Sequence, residues 1–223
     1  MLRPLGNALA SSLGKKIIMG ATGLLLVAFL IEHLIGNMKL TPTPAVGGVS
    51  DGSDFDAYVD FMNGLGVFKV LGELGLAALF VIHVFLAVRI TLENREARKH
   101  RYVVRSDNGA KTPASASMFI TGALILGYLV KHLLDFRFNA AFHESPAATV
   151  YETLSVPLNA FIYIAISLVV GVHVSHGFRS AFQSLGASHP QWNPVLELTG
   201  KALAALFAIA FAWLPIYILF FKN

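Results

Sequence analysis

Residues 16–40, KIIMGATGLLLVAFLIEHLIGNMKL, read as one apolar helix that carries Glu32 and His33 well inside its length. A helix needs about 20 residues, at 1.5 Å each, to cross a hydrocarbon core of about 30 Å, and this run has them. Ionisable side chains inside such a span are costly and mark function by default. What the span does therefore depends on whether His33 is alone.

Four further runs have the same character: residues 67–90, 115–136, 157–181 and 198–221. The chain of 223 residues is 55% hydrophobic and 13% charged, with a mean hydropathy of +0.64, which excludes an ordinary soluble domain and a disordered chain alike. The expected fold is an all-α integral membrane protein. It forms a single domain over residues 1–223 with five transmembrane helices, the first four making a bundle. The connections are short, and those at 41–66 and 91–114 have room for one interfacial helix each. No internal repeat stands out. The first span is too long for a signal-peptide core, so it is expected to be retained. Cysteine is absent, which excludes disulfides and thiolate-held iron–sulfur clusters on this chain.

Basic residues set the orientation. Arg3, Lys15, Lys16, Arg89, Arg95, Arg98, Lys99, Arg101, Arg105, Lys111, Arg179 and Lys201, twelve of the 17 Lys and Arg, gather at one end of the spans. The positive-inside rule assigns that end, and with it the N-terminus, to the cytoplasm. The opposite connections are richer in acids, as in DGSDFDAYVD at residues 51–60. The net charge of +4 is what such a topology requires and gives no sign of a nucleic-acid partner.

Direction gives each intramembrane histidine a depth. At 1.5 Å per residue, His33 and His132 come to lie near the outer third of the bilayer, and His83 and His173, on helices running the other way, near the cytoplasmic third. One histidine on each of four helices, paired by level, is what two bis-histidine haems stacked across a membrane need. Zinc matches poorly, because four histidines at two levels cannot converge on one tetrahedron. Gly36, Gly127, Gly171, Gly177 and Ala87 lie near these histidines in the chain and are read as room for a porphyrin. Lys15, Lys16, Arg89 and Arg179 stand where the propionates of the inner haem would need cations. His176 is read as a further propionate or backbone partner, and His100, His143 and His189 as solvated.

The segments SSLGKKIIMGATGLLL (11–26), HLIGN (33–37) and above all HVSHGFRSAFQSLG (173–186) resemble the five-helix, dihaem cytochrome b subunit of succinate:quinone oxidoreductases and fumarate reductases, over essentially the whole chain. The resemblance implies that His83 and His173 hold a proximal haem b, and His33 and His132 a distal one. It also implies a respiratory role in a bacterial cytoplasmic (inner) membrane. Electrons pass between an iron–sulfur subunit and membrane quinone, menaquinone being the expected species, through the two haems. FAD and the iron–sulfur clusters belong to partner subunits on the cytoplasmic side, as does the dicarboxylate site. Arg95, Arg98, Arg101 and SAFQSLGASHPQW (180–192) are expected to dock the iron–sulfur subunit. Glu32 and Glu73, at similar outer depths, and Asp60, at the membrane edge, are candidates for proton exchange with quinone.

Two positions depart from the family pattern. Gly171 stands where some fumarate reductase relatives carry a proton-conducting glutamate, and Glu32 stands where an apolar residue is expected. The alternatives are a dihaem anchor of another respiratory enzyme, such as a nitrate reductase, and a haem-free proton-coupled transporter with a histidine relay.

Overall fold

The computed structural model describes residues 11–42, 50–97 and 113–222. Its helices are α1 Ser12–Met38, α2 Ser53–Gly64, α3 Val67–Ala97, α4 Pro113–His132, α5 Ala140–Glu144, α6 Pro146–Ser155, α7 Pro157–Ser184 and α8 Asn193–Tyr217. A π-helical turn, Leu133–Arg137, continues α4, and another, Ile218–Lys222, continues α8. No strand occurs among the described residues. Five helices, α1, α3, α4, α7 and α8, are long and apolar enough to cross a membrane, which makes this an all-helical integral membrane bundle. Several run past the expected bounds, because hydropathy measures what crosses lipid whereas capping decides where the backbone stops. The Ser11 hydroxyl, for example, accepts the Gly14 N–H at 3.0 Å and starts α1 four residues early.

In lipid, apolar side chains gain nothing by leaving tails for one another, so small residues that let backbones approach decide the packing. A Cβ on Gly171 would lie 2.9 Å from the Ala204 carbonyl oxygen and from the Ala208 Cβ, so glycine there sets the close contact of α7 with α8. Gly20 brings α1 against the Ala181 backbone of α7, where a Cβ would come to 3.2 Å. Leu34, Val174 and the fully buried Phe207 fill the space between α1, α7 and α8. In addition α3 packs on α1, and α4 on α7.

The connection after the third span is more structured than the short turn expected from sequence, since α5 and α6 fold over the end of the bundle. Pro146 opens α6, a position where its missing N–H costs nothing. The Asp56 carboxylate of α2 accepts the Ala147 N–H at 2.8 Å and so caps α6 from outside. Gly52, with φ of +90°, lies so close to α6 that a Cβ would come within 2.5 Å of the Ala147 Cβ. Leu40, Phe55, Phe136, Val150, Leu154, Leu214 and Ile218 form a second core beneath this cap. Lys222 latches the end of the last span to it, with its ammonium 3.9 Å above the Tyr151 ring centroid and donating to the Ser50 carbonyl.

Gly171→Ala should overpack the α7–α8 contact by about 1–3 kcal/mol. A melting temperature lowered by several degrees in detergent is expected. Gly75→Ala on α3, whose Cβ would meet nothing within 4 Å, should leave it unchanged or raise it.

Candidate functional site: two histidine pairs in the bundle

The four intramembrane histidines fall into two pairs. At the end of the bundle covered by α2, His33 of α1 faces His132 of α4, with ring centroids 5.7 Å apart and planes at 82°. Toward the N-terminal end, His83 of α3 lies within electrostatic reach of His173 of α7. The distance between the two levels follows from the helices. Thr22 of α1 touches His83, and His33 lies eleven residues further on; Thr121 of α4 touches His173, and His132 lies eleven residues further on. Eleven residues of helix are about 16 Å.

Each ring of the N-terminal pair is held by a hydroxyl from the neighbouring helix. Thr22 Oγ1 lies 3.3 Å from His83 Nδ1, and Thr121 Oγ1 lies 3.0 Å from His173 Nδ1. The glycine that follows each threonine clears the ring edge: a Cβ on Gly23 would lie 3.2 Å from His83 Cε1, and one on Gly122 would lie 3.5 Å from His173 Cε1. These are the glycines that matter at the histidines. Two of those singled out by chain proximity face elsewhere, because neighbours along a helix point in different directions. Gly171 faces α8, Gly36 admits the Tyr58 ring, and Gly127 has open space around it.

At the other pair, aromatic rings take over. Phe29 stacks on His33 at 5.4 Å, and Tyr128 and Phe136 flank His132 at 5.7 and 5.2 Å. The π-turn begins at the residue after His132, a feature frequent at functional sites. It carries Asp135, whose carboxylate accepts from Tyr163 at 2.7 Å and pairs with Lys131 at 2.7 Å. The HLIGN motif has a local explanation here. The Asn37 amide donates to the His33 carbonyl at 2.7 Å, and Gly36 lets the Tyr58 ring close in.

The acids separate into two places. Glu32, exposed on α1, accepts the Tyr58 hydroxyl of α2; burial, and then this carboxylate, push the Tyr58 hydroxyl up to about 12. Glu73 and Asp60 instead line a cavity of about 360 Å³ between α2, the start of α3 and the π-turn, together with Lys69, Arg137 and His143. There Arg137 donates to Glu73 at 3.0 Å.

Among the basic candidates, Lys15 and Arg89 converge on Glu93, at 2.6 and 2.8 Å. Lys16 is exposed. Arg179 donates from Nη1 to Glu197 at 3.2 Å, while its Nε is buried without a hydrogen-bond partner. His176 lies within electrostatic reach of Arg179. The Arg95 guanidinium sits 5.1 Å over the Phe119 ring. The segment proposed for docking borders a groove of about 610 Å³ formed by Phe182, His189, Gln191, Trp192 and their neighbours. Arg3, Arg98, Lys99, His100, Arg101, Arg105 and Lys111 lie outside the described residues.

Sequence reading missed Thr22, Thr121, Tyr58 and the Tyr163–Asp135 link. It also found no repeat, and the structure corrects that. Both α1 and α4 carry M-x-x-T-G followed, after nine residues, by H: Met19, Thr22, Gly23 and His33 match Met118, Thr121, Gly122 and His132. Both α3 and α7 carry H-V-x4-R: His83, Val84 and Arg89 match His173, Val174 and Arg179. This correspondence would have pointed to the threonines.

The comparisons bear on identity. Neither a curated protein nor a solved structure gives a significant match. The family model described as succinate dehydrogenase/fumarate reductase transmembrane subunit matches residues 91–216, more than half of the chain, including α4 and α7 and nearly all of α8. The chain belongs to the family of succinate dehydrogenase/fumarate reductase transmembrane subunits.

Proposed function

We propose that this family member is a dihaem cytochrome b anchor of a succinate:quinone oxidoreductase, with His83 and His173 holding one b haem and His33 and His132 the other. The observation that carries the reading is the pairing itself. His33 and His132 meet ring to ring, His83 and His173 lie within electrostatic reach at the other level, and among the described residues no group of three or more His, Asp or Glu converges. Two imidazoles suit an iron that arrives with four equatorial nitrogens of its own, and they do not suit a bare ion. The spacing agrees. Two metal–imidazole bonds of about 2 Å plus two half-rings put ring centroids about 6 Å apart, against 5.7 Å for His33 and His132. The buried, partnerless Nε of Arg179 suits a propionate carboxylate. In this reading His176, Lys15, Lys16 and Arg89 are the further rim contacts.

Bound haem supplies a one-electron carrier at each level. The protein does the rest: four imidazoles fix the iron positions, and the partners of their second nitrogens tune them. Quinone, menaquinone in this reading, reacts at the α2 end, where Glu73 and Asp60 in the cavity exchange its protons and Glu32 is a third candidate. The groove around Trp192 receives the iron–sulfur subunit, which bridges to the flavoprotein, and that end faces the bacterial cytoplasm. Family membership favours this reading over a nitrate reductase anchor, and a haem-free relay would be colourless.

His83→Ala and His173→Ala should each remove the same haem, so the double variant should lose little more than either single one, because groups serving one cofactor are not additive. His83→Ala with His132→Ala should leave the inserted chain nearly colourless. Haem per polypeptide checks this, and a double variant at 83 and 173 that lost both haems would break the assignment.

Both irons should be six-coordinate, so the reduced native complex should bind carbon monoxide poorly; rapid stoichiometric binding would contradict the paired ligation. Glu73→Gln should slow quinone turnover by roughly a hundredfold with haem content unchanged. An undiminished rate would move proton exchange to Glu32.

A further inference from the structure

We propose that Thr22 and Thr121 are a matched pair of positioning residues that fix the tautomer of His83 and His173 and raise the basicity of their free nitrogens. They would thereby lower the reduction potential of the haem those two histidines hold; the proposal rests on the haem reading above. A threonine hydroxyl has one proton. In Thr22 it is directed at its own helix, with Oγ1 2.9 Å from the Ile18 carbonyl oxygen and 3.0 Å from that of Met19. Thr121 does the same, at 3.0 Å from the Ser117 carbonyl and 3.1 Å from the Met118 carbonyl. The oxygen lone pairs then remain for the imidazole, so Nδ1–H donates and Thr Oγ1 accepts.

With its proton on Nδ1, each imidazole keeps the Nε2 lone pair for a metal. The opposite polarity would place a proton on Nε2 and close it to iron.

The arrangement occurs twice, on α1 toward α3 and on α4 toward α7. In both copies the next residue is a glycine that lets the ring edge approach the backbone. A hydroxyl whose proton is already committed is a better acceptor, since hydrogen bonds in a chain polarise one another. An acceptor on Nδ1–H pushes electron density to Nε2 and favours the oxidised metal. Among the described residues the other pair lacks this device: the hydrogen-bond partner of His132 Nδ1 there is Tyr128 Oη at 3.5 Å, at the limit of a hydrogen bond. The two haems should therefore differ in potential, with the threonine-held one lower on this account.

The test uses the purified complex and redox-titrated optical spectra. Thr22→Val and Thr121→Val keep the shape and remove the hydroxyl; Thr22→Ser and Thr121→Ser keep the acceptor. Thr91→Val is the control, since the Thr91 hydroxyl bonds its own helix, to the Ala87 carbonyl at 2.7 Å. The haem that His132→Ala leaves behind identifies which potential belongs to His83 and His173. Each valine variant should raise that potential alone, by a three- to tenfold change in the oxidised-to-reduced ratio, at about 59 mV per tenfold for one electron. The double variant should shift it further, and the serine and Thr91 variants should not shift it.

Valine variants that retain both haems at unchanged potentials would overturn the proposal, as would a shift confined to the other haem. Thr22→Ala and Thr121→Ala carry the same prediction if a valine variant fails to insert. A wild-type complex without haem would sink the haem reading itself, and that spectrum precedes any variant.

Discussion

A neutral imidazole in hydrocarbon has one N–H to donate and one lone pair to fill, and leaving either unmet costs several kcal/mol. This constraint organises the bundle. A histidine on one transmembrane helix needs a partner on another, and a long, single-level helix pair cannot supply four of them. The chain divides the task. For His83 and His173 the Nδ1 side is met by Thr22 and Thr121, which leaves Nε2 of each ring as the second nitrogen to be satisfied. At the other level the His33 and His132 rings lie edge to face, flanked by the aromatic rings of Phe29 and Phe136.

The helix packing serves these rings. Gly23 and Gly122 admit the rings of His83 and His173, whereas Gly20 and Gly171 draw α1, α7 and α8 together behind them. Thus α8 contributes bulk, with Phe207 filling the centre, and leaves the histidines to the other four spans. The matched spacings on α1 and α4, and on α3 and α7, make one half of the four-helix core a counterpart of the other, with the same threonine-to-histidine contact in each. A pair of histidines related in this way would present equivalent donors to both faces of one flat cofactor. The halves differ at the α2 end, where α2, α5 and α6 fold over the bundle and create the cavity bearing Glu73 and Asp60.

The spans were legible because lipid imposes length and apolarity, and these survive in composition; the helices themselves run up to about two turns further, as in α3, which ends at Ala97. The two levels were legible because residues along a straight helix convert to depth at a fixed rise. What escaped notice has physical causes. A threonine in a transmembrane helix usually returns its hydroxyl to its own backbone, so Thr22 and Thr121 look unexceptional until the neighbouring helix is in place. Gly36 and Gly171 sit close to histidines in the chain yet face Tyr58 and α8, because a helix turns about 100° per residue. The segment holding α5 and α6 was read only as a short connection because it lacks the length and apolarity to cross lipid, yet Pro146 opens a helix within it. The pairing of Glu32 with Tyr58 needed the register of α2 against α1, which no periodicity encodes.

The central claim is that two histidine pairs hold two b haems in line with an external succinate-oxidising partner. Optical spectra of the purified complex, titrated with redox mediators and then repeated with succinate as the only reductant, test it most directly. The account predicts two one-electron b-type transitions of equal amplitude and distinct potential, and reduction by succinate of at least the higher-potential one. A complex with no b-type band, or with a single haem per chain, would contradict it.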